Sequence, residues 1–168
     1  MALSMYACSI PALIRNLNNL SAILAKGAAH ARDNEVDETV FTSARLYPDM
    51  FTMARQVQIA CDVSKNAAMR LSGVEAPSYE DTETTFEQLQ ARIANVIKFL
   101  ESVPADKVDG TEEKTITLKA GPNEYTFSGQ AFVQTFVLPN VYFHVTTAYN
   151  ILRHNGVKVG KMDFLGGA

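Results

Sequence analysis

Apolar residues recur at helical spacing over four stretches of the chain and at strand spacing over one. Leu13, Leu17, Leu20 and Leu24 lie four, three and four residues apart, laying an apolar stripe along a first helix expected from about Ser4 to Arg32. Asn16, Asn18 and Asn19 take its flanks, and Pro11 falls early, where proline is tolerated or gives a modest kink. Residues 33–48 are polar and then mixed, and read as a connection holding one helical turn. A second helix is expected from Pro48, whose fixed φ suits a first helical position, to about Leu71. Met50, Val57, Cys61 and Ala68 mark its inner face, Gly73 its left-handed stop, and Pro77 prevents resumption.

The third helix has a start signal in Thr84 and Glu87, spaced as a capping box. Phe86, Leu89, Ile93, Val96, Ile97 and Leu100 keep helical period from there to Pro104. The period then changes. Thr115–Lys119 and Glu124–Phe127 alternate about Gly121-Pro122-Asn123, which predicts a short β-hairpin with Ile116, Leu118, Tyr125 and Phe127 on its buried side. Thr117 and Thr126 are expected outside, and the hairpin must dock on the helices because it is marginal alone. Ser128 suits the cap of a fourth helix, interrupted by Pro139 and ending at Asn155-Gly156. The tail from Val157 reads as a strapping segment rather than another element. The pattern predicts an all-α protein, a four-helix bundle with a small β-hairpin between the third and fourth helices, in a single domain over residues 1–168.

Composition narrows the class. Apolar residues are 47 % and charged residues 20 % of the 168, so a packed core is expected rather than disorder. A net charge of −3, with no basic stripe, argues against nucleic acid as a partner. No apolar run reaches the ~18 residues of a membrane span, and the start of the chain lacks a secretory pattern; a cytoplasmic location is expected. Cys8 and Cys61 are far apart, in apolar helical stretches, and read as reduced core thiols.

No phosphate loop, nucleophile elbow or paired-histidine zinc motif occurs. Of the three histidines, His30 and His154 fall near helix ends, where the dipole favours them. His144 lies well inside the fourth helix, with Asn140 and Thr147 on its face among Val133, Phe136, Val137, Ala148 and Ile151. Three polar groups on an apolar stripe need partners, since an unpaired buried polar group costs ~1–3 kcal/mol. Those partners are other core side chains, water or a bound small molecule. Pro139 adds a freed carbonyl, that of Thr135, a turn away. On the second helix, Gln56 at the edge of the apolar face is the expected inward-pointing group, with Gln58 and Asp62 on another flank.

The segment from Asn140 through His144 to Gly156 resembles the last helix of the DinB/YfiT-like superfamily. The segments YPDMFTMARQVQIACD, ETTFEQLQARI, FHVTTAYNILRHNGV and GKMDFLG together resemble an uncharacterised bacterial branch of it, a domain of unknown function. The resemblance implies a four-helix bundle that pairs as a homodimer, with Tyr142 and Tyr149 candidates for the shared surface. It also implies a divalent metal (Zn, Ni or Mn) held by three histidines, one on the second helix and two on the fourth, and in some members transfer of low-molecular-weight thiols. By position, His144 matches the second histidine of the fourth-helix pair. Asn140 stands where the first belongs, and Gln56 or Gln58 stands nearest the second-helix ligand. Neutral amides are weak donors for such metals. Two expectations follow: a non-catalytic or ligand-binding bundle with His144, Asn140, Gln56 and Thr147 at the site, or a metal-dependent, thiol-transferase-like enzyme with a weakened site at His144.

Overall fold

A computed structural model describes residues 3–167. Helix α1 spans Met5–Asp33, capped by Ser4, whose hydroxyl accepts from the Ala7 amide at 3.3 Å. The short α2, Thr39–Thr42, is the single turn expected in the first connection. Helix α3 covers Met53–Ser72 and α4 Phe86–Ser102. Strands β1, Ile116–Ala120, and β2, Asn123–Phe127, precede the last rod. That rod is continuous: α5 at Gly129–Ala131, a π turn at Phe132–Val137 and α6 at Leu138–His154. A final short helix, α7, spans Lys161–Leu165.

The four long helices form a square bundle in which α1 and α3 are each flanked by α4 and α6. Their directions follow from which ends meet. Gly27, late in α1, touches Phe86 at the start of α4, and the Tyr6 amide donates to Asp109 beyond the end of α4, so these two helices are antiparallel. Gly27 also faces Leu152, so α1 and α6 run the same way. Gln56, early in α3, meets His144 of α6, whereas Val63, Asn66 and Arg70, later in α3, face Phe132 and Phe136 ahead of α6, which makes that pair antiparallel. Helices α3 and α4 are therefore parallel neighbours. Residues 73–85 must run back along the bundle in extended form, and they do. A 20-residue helix is ~30 Å long, a span that this extended segment covers easily.

The core is one cluster drawn from all four helices, with Leu13, Leu17, Leu20 and Leu24 of the predicted stripe fully buried. Two boundaries and the burial of one hairpin strand differ from the sequence reading. Helix α3 starts at Met53 rather than Pro48: Thr52 caps it, and the Met53 amide is spent on the carbonyl of Ala44 at 2.8 Å. The capping box of α4 is Thr85–Gln88, one residue later than Thr84–Glu87. This register puts Phe86 in the first helical position and buries it against α1. In the hairpin, Ile116 and Leu118 are buried and Thr117 and Thr126 exposed, but Tyr125 lies 43 % exposed and Phe127 is half-buried. The hairpin docks by its base, and its tip projects past the helices. The Thr117 and Thr126 hydroxyls meet across the outer face at 3.3 Å.

Pro139 sits at the start of α6, directly after the π turn. A proline ring inside a regular helix strikes the carbonyl four residues earlier. Widening the preceding turn to the π pattern removes that clash, so the rod continues where sequence reading placed a break. The tail straps across α1, but it also forms a further element, the short helix α7, where the sequence reading expected none. Arg15 donates to the carbonyl of Leu165 at 2.9 Å and Asn19 to that of Phe164 at 2.9 Å.

Candidate functional site

His144 is 9 % exposed, on the α6 face that packs against α3. Its Nδ1 lies 2.6 Å from Oε1 of Gln56, which is itself buried. The amide of Gln56 is oriented by its other end: Nε2 donates to the carbonyl of Phe51 at 3.3 Å. Turning the amide over would set its oxygen against that carbonyl. With Oε1 facing the imidazole, Nδ1 must be the donor, and in the neutral ring Nε2 is the acceptor. Among the described residues the only sealed, unpartnered side-chain nitrogen or oxygen is Arg92 Nε, so His144 Nε2, which has no protein partner, keeps contact with solvent.

Burial lowers the pKa of His144, and the charge of Arg55 lowers it further. The neutral ring is therefore the resting form near pH 7. The ring of Phe143 meets the imidazole edge-on at 5.2 Å, and Arg55 lies 5.9 Å from the centre of the Phe51 ring. Phe51 and Phe143 are both more than half exposed.

The other expected site residues are placed differently. Thr147 is buried on the same face, but its hydroxyl donates to the carbonyl of Phe143 at 2.7 Å, so its own helix satisfies it. Asn140 is half-buried one turn before His144 and makes no hydrogen bond to it. His30 stacks edge-on against Phe41 at 5.6 Å, and His154 is exposed. Cys61 is a core thiol, its pKa pushed up to about 12 chiefly by burial; Cys8 is half-buried, less enclosed than expected.

A second polar cluster escaped the sequence reading. Arg92 of α4 is buried and pairs with Asp62 at 3.0 Å, Asp81 at 2.9 Å and Glu83 at 3.0 Å. Lys65, also buried, pairs with Asp62 at 3.4 Å and donates to the carbonyl of Pro77 at 2.8 Å. Tyr79 lies 5.1 Å from Lys65 and 5.6 Å from Arg92. Gln58 reaches Glu83, and Arg55 pairs with Asp81. Three cations here meet three carboxylates. The cluster fastens the returning segment 73–85 to the parallel helices.

Together, the bundle, the docked hairpin and the buried imidazole at the α3–α6 face define a DinB-like helical protein. A crystal structure of a DinB family member from Shewanella denitrificans is 40 % identical, covers 97 % of this chain and 92 % of its own, and superposes with a TM-score of 0.87. The chain belongs to the family described as a domain of unknown function, DUF1993, whose model matches residues 5–165. No curated protein matches the chain significantly.

The three-histidine metal site that the superfamily implies does not fit the residues present. Among the described residues no group of three or more His, Cys, Asp or Glu side chains is placed to hold a metal ion. His144 is the one imidazole at this face, and the Gln56 oxygen that could join it is already bonded to it. One imidazole with neutral amides is a poor donor set for zinc or nickel, and it lacks the carboxylates that manganese favours.

Proposed function

We propose that this protein is a DinB-like bundle that binds a small ligand at His144 and does no metal-dependent chemistry. On this reading, the position that holds a metal in superfamily members has become a hydrogen-bonding site. The observation that carries it is the 2.6 Å contact between Gln56 Oε1 and His144 Nδ1. It spends the amide that stands in place of a ligand histidine, fixes the tautomer and leaves Nε2 as a hydrogen-bond acceptor at the surface of the site. The exposed rings of Phe51 and Phe143 beside it give a ligand an apolar surface to cover.

A second reading, a metal-dependent enzyme with a weakened site, has one observation in its favour. An imidazole anchored through Nδ1 with Nε2 turned outward is how metal-ligating histidines are commonly held. Thermal melts with and without added zinc, nickel or manganese separate the two. The proposal expects no metal-dependent rise in the wild type, and expects His144→Phe to fold with similar or greater stability. A rise that is present in the wild type and absent from His144→Phe would establish the metal reading instead, because a ligand bound only by the native state raises its apparent stability.

The proposal includes pairing of two copies. Tyr142 and Phe143 of α6 are 40 % and 57 % exposed, while Tyr149 is half-buried against the core and contributes less to any shared surface. Light scattering at micromolar concentration should give twice the chain mass of 18.4 kDa; a monomer there would remove pairing from the proposal.

A further inference from the structure

Between α3, the hairpin and the π turn lies a cleft of about 150 Å³, well over two turns along the rod from His144. Val63, Leu118, Phe132 and Phe136 form its apolar wall, and Arg70 and Lys119 stand at its polar side. Phe132 and Phe136 are stacked with centres 5.8 Å apart, and Phe127 packs against both, so the aromatic wall is fixed.

The cations here differ from those of the α3–α4 cluster. Arg92 and Lys65 meet carboxylates, whereas Arg70 meets none among the described residues. Its one hydrogen bond runs to the carbonyl of Asn66 in its own helix, at 3.4 Å. Arg70 is half-buried, and that burial alone depresses its pKa: the guanidinium has lost water and gained no counter-charge. Among the described residues Lys119 makes no ion pair either, although Glu124 stands opposite it in the hairpin register. Lys114, spanning the carbonyls of Arg70 and Leu71 at 2.8 Å each, adds a third positive charge at this end of α3. Glu112 and Glu113 precede it in sequence, and among the described residues they ion-pair with none of the three.

We propose that this cleft binds a small monocarboxylate whose apolar body is about the size of a benzene ring. The carboxylate lies between Arg70 and Lys119, and the ring lies against Phe136 and Val63, over the buried Phe132. The volume argues for that size, since an apolar cavity of ~150 Å³ accepts benzene. The charge argues for a carboxylate: a planar guanidinium pairs with it in two-point fashion, while a strongly hydrated phosphate gains little from an apolar wall. The site stands independently of the reading of His144.

The test is calorimetric titration of the full chain with sodium benzoate at fixed ionic strength, with benzyl alcohol and acetate as controls for charge and ring. Benzoate should bind saturably and at least about tenfold more tightly than either control. Arg70→Gln, on a half-exposed side chain that the fold does not need, should weaken it about tenfold or more. Val63→Phe, which fills the cleft, should abolish it, and His144→Phe should leave it unchanged. No saturable binding of benzoate, equal binding of benzyl alcohol or acetate, or an Arg70→Gln variant that binds like the wild type would each overturn the proposal.

Discussion

His144 and Arg92 show how differently two buried polar side chains can announce themselves. His144 was legible because it interrupts an apolar stripe at helical period, so its direction followed from its neighbours, and Gln56 followed from the flank of the facing helix. Arg92 was not, because a lone arginine on an amphipathic helix reads as a solvated flank and its carboxylate partners Asp81 and Glu83 lie in a segment with no period. Thr147 was legible as buried but not as self-satisfied, since a hydroxyl returning to its own helix leaves no trace in spacing. The depressed pKa of His144 has a measurable consequence. As pH falls below the ordinary imidazole value of 6.5, the unfolded chain takes up a proton that the folded chain resists. Stability linked to this residue is therefore complete above that value and is lost as pH falls towards the folded value. Urea unfolding through this window should show the wild type losing stability more steeply than His144→Phe. Parallel curves for the two would mean that the ring is not held neutral by the fold.

At the scale of elements, periodicity located every long helix and the hairpin, and missed what depends on contact between elements. The start of α3 is set by Ala44, which takes the Met53 amide, and the register of the α4 cap by the seating of Phe86 against Gly27. The π turn was invisible because its pattern of apolar residues is that of any helix; only Pro139 hinted at a disturbance. The segment 73–85, where the sequence marks only a helix stop at Gly73 and Pro77, is a return strap held by ion pairs and the Tyr79 ring rather than by an apolar stripe. Removing its anchor should be severe. Arg92→Ala removes the cation that Asp62, Asp81 and Glu83 share, but Lys65 still pairs with Asp62 and Arg55 with Asp81, and the carboxylates keep some water. The loss should therefore fall short of the ~3–5 kcal/mol of a fully buried pair, at about 2–3 kcal/mol. Chemical denaturation should register a loss of that order, with amide exchange in residues 74–85 rising first. A loss under about 1 kcal/mol, the scale of surface pairs, would show that the strap is held by something else.

At the scale of the molecule, neighbours in sequence are not antiparallel neighbours in space. Helices α1 and α3 lie mainly across a diagonal, α3 and α4 run parallel, and α4 and α6 sit across the other diagonal. No pair of consecutive helices can close as a simple hairpin of helices, so most helix contacts span long stretches of chain. Folding speed falls as contacts become less local. Stopped-flow refolding should therefore run in milliseconds or slower; microsecond refolding, as in bundles of local hairpins, would contradict the topology. The same arrangement governs what happens during synthesis. The leucine stripe of α1 leaves the ribosome complete at Asp33, yet its flanking partner α4 ends only at Ser102. At ~5–20 residues per second that interval is roughly 3–14 s, during which the nascent chain carries an uncovered apolar face and depends on chaperones or on its own transient collapse to stay unaggregated.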